Sequence, residues 1–271
     1  FLVYLILSFI IFIFLNISGV RLYNALNLSM SLISTGAFLP TNYLSQIIKT
    51  NFQEIILILS FLISILNIFF FMNLFNKRKI INEHQDDIFI FFIFIICSLI
   101  LLITNIDLDF SKIIIGVLSS LSNSGITTSN VPDNITLYFL FLTLIGGSLI
   151  SNTSGIKLTR IYILLKSTSS EIIKLVRPNN IVNQKILFSD KKITSTNIKL
   201  SFLIFISFFI SVFILSGVLL MDTTNFESSF KLSILTLTNT STSALYGVNN
   251  IDFSSLLTSS KISLIIFMIV G

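Results

Sequence analysis

Apolar residues in this chain are gathered into long runs and do not follow the 3.6-residue rhythm of an amphipathic helix. Six such runs lie at about residues 1–19, 52–75, 88–105, 137–165, 198–220 and 254–271. A block of about 18 or more apolar residues is what a helix needs to cross the hydrocarbon core of a bilayer. The pattern therefore predicts an all-α, polytopic membrane protein with one membrane segment for each run.

Polar inserts follow the first, third and fifth of these runs. They read "RLYNALNLSMSLISTGAFLPTN" (21–42), "DFSKIIIGVLSSLSNSGITTSNVPDN" (109–134) and "NFESSFKLSILTLTNTSTSALYGVNN" (225–250). Each insert starts with polar residues, continues through about three turns of moderately apolar helix, and ends in a cluster of Ser, Thr and Gly. The chain is therefore predicted to contain a threefold repeat of helix, short helix, polar loop and helix.

The repeats and their connections divide the chain into five parts. The first repeat covers 1–75, the second 88–166 and the third 198–271, with connecting segments at 76–87 and 167–197.

Most basic residues lie in or beside the two connections, which in membrane proteins predicts the cytoplasmic side. These basic residues are Lys77, Arg78, Lys79, Lys166, Lys174, Arg177, Lys185, Lys191, Lys192 and Lys199. The polar clusters of the inserts are then expected to open to the outside, with carboxylates near their mouths. These carboxylates are Asp107, Asp109, Asp133, Asp222, Glu227 and Asp252.

Composition supports the membrane interpretation. The chain is 54% hydrophobic and 11% charged, whereas soluble domains carry about 25% charged residues. A water-soluble core of this composition would leave too much apolar surface exposed, which excludes a soluble protein. The formal net charge of +5 is explained by the cytoplasmic connections, so lipid is an expected partner and nucleic acid is not.

Little in the sequence points to catalysis or to a bound cofactor. Cys97 is the single cysteine and lies in an apolar run, so it predicts no disulfide framework. The single histidine, His84 in "NEHQDD", is predicted to be a solvated loop residue, with a metal site shared with nearby carboxylates as the alternative. An intramembrane enzyme with "SNTSG" (151–155) as its nucleophile region would need a base, and no paired intramembrane Asp, Glu or His is apparent.

The polar loops have a physical reason to share a water-filled axis. Backbone that is not helical leaves unpaired polar groups, which hydrocarbon tolerates only where they are buried in protein or face water. A ring of loop carbonyls can replace the water shell of a cation, and the C-terminal ends of the short helices favour positive charge. Ordinary extracellular turns, which are also rich in Ser, Asn, Gly and Thr, are the alternative.

Several stretches resemble one family of transporters. "SLISTGAF" (31–38) is similar to its second-unit filter S-T-G-G-F, and "LSNSGITTSN" (121–130) to its third-unit filter T-T-T-G-F-A-T. "GGSLISNTSGIKLTRIYILLK" (146–166) resembles its G-G-C-A-G-S-T-G-G-G-I-K-V-I-R stretch, and "IKLVRPNNIV" (173–182) resembles the I-K-R-L-I-H-P-N-A-V that follows. The C-terminal part resembles its fourth unit. In correct order, these motifs resemble the Trk/Ktr/HKT superfamily of potassium transporters, and within it the bacterial TrkH-type subunits.

The resemblance implies four helix–pore-helix–filter-loop–helix units around a pseudo-fourfold pore. The three repeats would be units two, three and four, with unit one expected before Phe1. The implied ion-binding filter residues are Ser34, Thr35, Gly36, Asn123, Ser124, Gly125, Asn239, Thr240 and Ser241.

The resemblance also implies an intramembrane gate below the filter, where the fourth apolar run is interrupted. Its implied residues are Gly146, Gly147, Ser151, Asn152, Thr153, Ser154, Gly155 and Lys157. A kinked helix satisfied by its own Ser and Thr side chains is the alternative for this stretch. Lys157 and Arg160 either contact this loop or extend to the cytoplasmic interface.

The function implied by the resemblance is uptake of potassium ions, with protons or sodium as possible co-transported ions, through a multi-pass protein of the bacterial inner membrane. Potassium is then the substrate, the chain carries no cofactor and is not an enzyme, and a homodimer and a cytosolic nucleotide-binding regulatory subunit are the implied partners. Ser241 stands where the family has glycine, and serine adopts positive φ less readily. A sodium-permeable or a non-conducting regulatory member of the same family is the alternative.

Overall fold

The computed structural model describes most of the chain and is all-α in that part. It describes residues 2–36, 38–39, 44–73, 84–104, 109–128, 131–177, 193–222, 225–248, 253–254 and 256–271. The α-helices in these ranges are α1 (Leu2–Ile17), α2 (Leu22–Ser34), α3 (Asn51–Ile65), α4 (Ile68–Met72), α5 (Gln85–Thr104), α6 (Phe110–Leu121), α7 (Asp133–Ile145), α8 (Leu158–Val176), α9 (Ser195–Leu220), α10 (Phe226–Leu237) and α11 (Thr258–Val270). Single 3-10 turns lie at Leu44–Gln46 and Ala244–Tyr246. The predicted all-α fold class is confirmed.

Parts of the predicted cytoplasmic connections lie outside the described residues. They include the basic residues Lys77, Arg78, Lys79, Lys185, Lys191 and Lys192. Two of the predicted outer carboxylates, Asp107 and Asp252, lie outside them as well.

The three repeats lie side by side, with the second in the middle. Within each repeat a short helix packs against longer ones: α2 against α1 and α3, α6 against α5 and α7, and α10 against α9 and α11. Between repeats, α3 packs on α6 and α10 packs on α7, while α8 reaches across to α9. The ends of the three short helices are thereby brought to the middle of the molecule.

One apolar core joins the repeats. Leu57 and Phe61 of α3, Leu118 of α6 and Leu235 of α10 are fully buried members of the same cluster. Gly116 lets α6 approach α7, because a Cβ added there would lie 2.9 Å from the Phe139 ring. Close packing at this helix crossing therefore depends on the absence of a side chain.

The outside of the bundle is apolar. Helices α5 and α9 are long and apolar enough to cross a membrane, and most of their residues are not buried within the chain. On α9 the exposed side chains include Leu203, Phe213 and Ile214. An apolar exterior of this extent is the kind of surface that lipid covers.

The second apolar run was predicted as one helix over 52–75, and this was wrong. The helix is interrupted at Leu66 and Asn67, between α3 and α4. The Asn67 side chain accepts a hydrogen bond from the Phe69 amide at 2.9 Å and so caps α4. Its own amide donates to the Asp87 carboxylate at 2.8 Å instead of continuing the helix.

His84 also differs from its prediction. It was expected in solvent, but it is only 3% exposed and lies next to Asp87, which is 2% exposed. The physical reason is the same break. Asp87 accepts the Asn67 amide that the break leaves without a helical partner, and His84 pairs with the buried Asp87.

We expect the Gly116→Leu variant to lower the stability of the folded bundle. The added side chain would overpack the α6–α7 crossing, which costs about 1–3 kcal/mol. The midpoint of thermal unfolding in detergent, followed by circular dichroism, measures this. Gly217→Leu on α9 is the matched control, because a Cβ there meets nothing within 4 Å. A midpoint that falls equally for both variants would show that the crossing does not require a glycine.

Candidate functional site

The three short helices end in the same backbone motif. Each is followed by a residue in the left-handed region: Thr35 (φ 53), Asn123 (φ 58) and Asn239 (φ 50). The amide of the next residue then bonds a carbonyl five positions back: Gly36 to Ser31 at 2.9 Å, Ser124 to Ser119 at 3.1 Å, and Thr240 to Leu235 at 2.9 Å. This is the 6→1 bond of a Schellman-type helix end, used three times.

The motif also corrects the alignment of the repeats. By backbone geometry, Gly36 corresponds to Ser124 and Thr240, while Gly125 and Ser241 follow one residue later. The sequence resemblance had grouped Gly36 with Gly125. The reason is that the left-handed position, where glycine is usual, is occupied in all three repeats by Thr or Asn.

These left-handed residues are under strain. A non-glycine residue there is uncommon, and a β-branched one such as Thr35 is an outlier. Such a residue costs about 1–3 kcal/mol and persists only where its surroundings hold it. Thr35 and Asn123 are 7% and 1% exposed, which is consistent with that requirement.

Ser241 does not need the conformation that only glycine adopts readily. The Ser241 backbone does not have positive φ, whereas Gly125 has φ +66. A Cβ added to Gly125 would lie 2.7 Å from the Ser241 hydroxyl. That hydroxyl donates to the Ser124 carbonyl at 3.0 Å. Ser241 thus fills the space beside Gly125 and links the loops of the second and third repeats.

The loop of the second repeat is the most buried of the three. Its hydroxyl groups form a compact network in which the Ser124 Oγ lies 2.9 Å from Ser122 Oγ and 3.2 Å from Ser119 Oγ. All three serines are fully buried. A satisfied polar network of this kind holds its backbone in one arrangement.

A cavity of about 530 Å³ lies where the loops of the first and third repeats face each other. Its polar lining residues are Ser34, Thr35, Gly36, Asn152, Ser154, Thr236, Asn239, Thr240, Ser241 and Thr242. Six of the nine implied filter residues therefore line one cavity, and the other three are joined to it by the Ser241–Ser124 hydrogen bond.

The 146–157 loop separates α7 from α8 and is tightly packed. Glycine is required at three positions, because an added Cβ would collide with main-chain oxygens. A Cβ added to Gly146 would collide with Ser154 O, one added to Gly147 would lie 2.7 Å from Ile65 O, and one added to Gly155 would lie 2.8 Å from Thr143 O. The Ile156 amide also donates to Leu144 O at 3.0 Å, so the loop folds back on the end of α7.

Lys157 belongs to this loop and does not extend to an interface. Its side chain is buried, and its Nζ donates to the Thr153 carbonyl, to Thr153 Oγ1 at 2.9 Å and to Ser151 Oγ at 3.3 Å. Its backbone has φ 72. The Lys157 ammonium therefore organises the loop from inside.

The 146–157 loop is bonded directly to the end of the first short helix, α2. Asn152 Nδ2 donates to Ile33 O at 2.9 Å, and Thr35 Oγ1 donates to Asn152 O at 3.3 Å. Tyr4 of α1 donates to Asn152 Oδ1 at 2.5 Å. On the other side, Asn123 Nδ2 donates to the carbonyl of Thr143 in the last turn of α7 at 3.0 Å.

Sequence reasoning missed Tyr4 and the Asn67–Asp87 contact. A tyrosine and an asparagine inside apolar runs gave a weak signal, and their partners are distant in sequence. The implied gate residues Asn152 and Lys157 do lie in this network.

Two of the predicted outer carboxylates form local ion pairs. Glu227 accepts from Lys231 at 2.6 Å, and Asp109 pairs with Lys112. The hydrogen bond from Lys231, and then its positive charge, hold the pKa of the exposed Glu227 carboxyl below its usual value. In the described part of the chain no three His, Cys, Asp or Glu residues are grouped closely enough to hold a metal ion.

No protein-family model matches the chain. Among curated proteins it is similar to an uncharacterized cation transporter of Methanocaldococcus jannaschii, with 28% identity over 218 residues that cover 78% of this chain and 44% of that protein. Among solved structures it is similar to the crystal structure of the potassium transporter TrkH from Vibrio parahaemolyticus, with a TM-score of 0.82, 22% identity, and coverage of 98% of this chain and 59% of that one. The chain spans about half the length of these relatives. It has the fold of the TrkH transporter, and the resemblance read from its motifs is confirmed at that level.

Proposed function

We propose that this chain is part of a multi-pass membrane protein of the Trk/Ktr/HKT superfamily that takes up potassium ions across the bacterial cytoplasmic membrane. The observation that carries the proposal is the helix end repeated at Thr35, Asn123 and Asn239, with its loops joined around one cavity. The relatives named as cation and potassium transporters support transport rather than catalysis.

The chemistry of the cavity suits a permeating alkali ion. Its polar lining is made of hydroxyl, amide and main-chain groups, without a carboxylate among the lining residues. Hard neutral oxygen ligands can replace the hydration shell of a monovalent cation, whereas a tightly held divalent ion usually requires carboxylates. The C-terminal ends of α2 and α10 lead into this cavity, and their partial negative charge favours a cation.

We propose that the 146–157 loop is the gate of this pathway. Two of its residues, Asn152 and Ser154, line the cavity beside the implied filter. The buried Lys157 ammonium holds the loop in its present conformation. Opening requires the loop to leave the cavity, and therefore to break the bonds that Asn152 makes with Ile33 and Thr35.

The partners are part of the same proposal. A cytosolic nucleotide-binding regulatory subunit would dock on the basic face that includes the end of α8. There Leu175 and Val176 are 85% and 75% exposed, next to Lys174. We also propose that the complete protein works as a homodimer.

A sodium-permeable transporter is the second candidate, and one contact favours it. The Ser241 hydroxyl donates to the Ser124 carbonyl, which is one of the implied filter oxygens. An oxygen that is engaged by a hydroxyl group is not fully available to an ion. The larger potassium ion needs more coordinating oxygens than sodium does, so this contact reduces the advantage of potassium over sodium.

We expect Gly125→Val in the complete polypeptide to abolish cation uptake while membrane insertion persists. The new side chain would meet Ser241 and Thr240 within 2.9 Å and would require positive φ. Growth of potassium-starved, uptake-deficient cells and rubidium influx measure transport. Gly217→Val, at an exposed position in open space, is the control. Normal influx through the Gly125 variant would remove this loop from the ion pathway.

The Ser241→Ala variant tests the second candidate. It removes the hydroxyl and keeps Cβ, so the Ser124 carbonyl is released. We expect the potassium-to-sodium permeability ratio to rise about fivefold, the equivalent of a hydrogen bond worth about 1 kcal/mol. Ser233→Ala is the control, because that buried hydroxyl donates to the Ser229 carbonyl of its own helix and does not line the cavity. An unchanged ratio would leave the second candidate without support.

The Lys157→Met variant tests the gate. The Met side chain has similar length but cannot donate to Thr153 and Ser151, so the loop loses its internal anchor. We expect at least about a tenfold rise in ion flux measured without the regulatory subunit, because a factor of ten needs only about 1.4 kcal/mol. Arg160→Met, one turn further along α8, serves as the control. A flux equal to that of the wild type would argue against a gating role for this lysine.

A further inference from the structure

A buried His–Asp pair lies at the start of α5, away from the cavity. His84 Nδ1 is 3.2 Å from Asp87 Oδ2, and its other ring nitrogen, Nε2, is 3.0 Å from Asn73 Nδ2. The ring is also held edge-on against Phe70 at 5.6 Å between centroids. Ionisable groups this deeply buried need partners on every polar atom, and here those partners come from the end of α4 as well as from α5.

The carboxylate of this pair reaches the break between α3 and α4. Asp87 Oδ1 accepts the amide of Asn67, which has no helical acceptor at that point. The Asn67 side chain in turn caps α4. Asp87 therefore fixes the geometry of the break, His84 holds Asp87, and Asn73 holds His84.

The same break supplies the contact that holds the 146–157 loop from the side of α3. The Ser148 amide donates to the Ile65 carbonyl at 3.1 Å. The Ser148 hydroxyl is buried beside the Asp87 carboxylate. Gly147 lets the two backbones approach, since a Cβ there would lie 2.7 Å from Ile65 O.

We propose that His84 and Asp87 are positioning residues that anchor the 146–157 loop through the α3–α4 break. The inference rests on the proposed function of that loop as a gate. Loss of Asp87 leaves the Asn67 amide without its acceptor, and loss of His84 leaves the Asp87 carboxylate without one of its partners. In either case the Ile65 carbonyl shifts and its contact with the Ser148 amide is lost. On the proposed orientation, this anchor lies on the cytoplasmic side of the filter.

Cysteine accessibility tests the anchor independently of transport. The complete polypeptide is placed in a cysteine-free background that includes Cys97→Ser. A single cysteine is then introduced at Ile156 in the loop, which is 2% exposed, so that it reacts only when the loop opens. The rate of its modification by a membrane-impermeant maleimide from the cytoplasmic side is measured. We expect His84→Ala and Asp87→Ala to raise this rate at least about tenfold, because local opening becomes more frequent.

Two controls separate anchoring from a general loss of stability. A cysteine at Ser170, which is 1% exposed on α8 beyond the loop, should be modified at a rate that changes less than about twofold, since local opening does not spread to it. His84→Gln keeps a side-chain N–H that can donate to Asp87, and it should restore the slow rate at position 156. Asp87→Asn keeps an acceptor for the Asn67 amide and should give a smaller rise than Asp87→Ala.

The outcomes are distinct. Equal increases at positions 156 and 170, or an unchanged rate at 156 in both alanine variants, would overturn the anchor. Potassium flux is measured in the same vesicles. If the wild-type protein carries no flux while the accessibility pattern is as expected, the proposed function fails and the anchor stands. If flux is present but position 156 does not respond, the anchor fails and the function stands.

Discussion

The structure depends on the pairing of main-chain groups wherever a helix stops inside an apolar surrounding. Each unpaired amide or carbonyl costs several kcal/mol in hydrocarbon, so every interruption needs a specific partner. The short helices solve the problem locally, with a left-handed residue and a 6→1 bond. In the two interrupted long helices the partners are distant in sequence. The Asn67 amide donates to the Asp87 carboxylate, and the Ile65 carbonyl accepts a hydrogen bond from the Ser148 amide.

This difference explains what the sequence could predict. The repeats, the helices and the interruption after Ile145 are all visible from local composition, because glycine and hydroxyl residues interrupt an apolar run. The interruption at Asn67 was missed, because one asparagine in an apolar run carries no such signal. Its cause is the Asp87 carboxylate, which is 20 positions away in sequence and is brought there only by the packing of α5.

The filter alignment failed for a related reason. Glycine was taken as the marker of the left-handed position, whereas the chain places Thr or Asn there. At Thr35 and Asn123 burial supports the strain. The concern over Ser241 rested on the same assumption. Its φ is not in the left-handed region, so the serine matters for the hydrogen bond it makes with Ser124 and not for backbone strain.

Polar pairing also joins the 146–157 loop to the implied filter. The Asn152 Oδ1 accepts a hydrogen bond from the Tyr4 hydroxyl, and its Nδ2 donates to the Ile33 carbonyl. The main-chain carbonyl of Asn152 accepts a hydrogen bond from the Thr35 hydroxyl. Because Thr35 is the strained residue of the first short helix, a movement of Asn152 removes one of the contacts that hold that strain. The loop and the helix end therefore cannot rearrange independently. Under the proposed function, opening of the gate therefore also changes the environment of the implied filter oxygens, so that the same hydrogen bonds would control ion access and ion coordination.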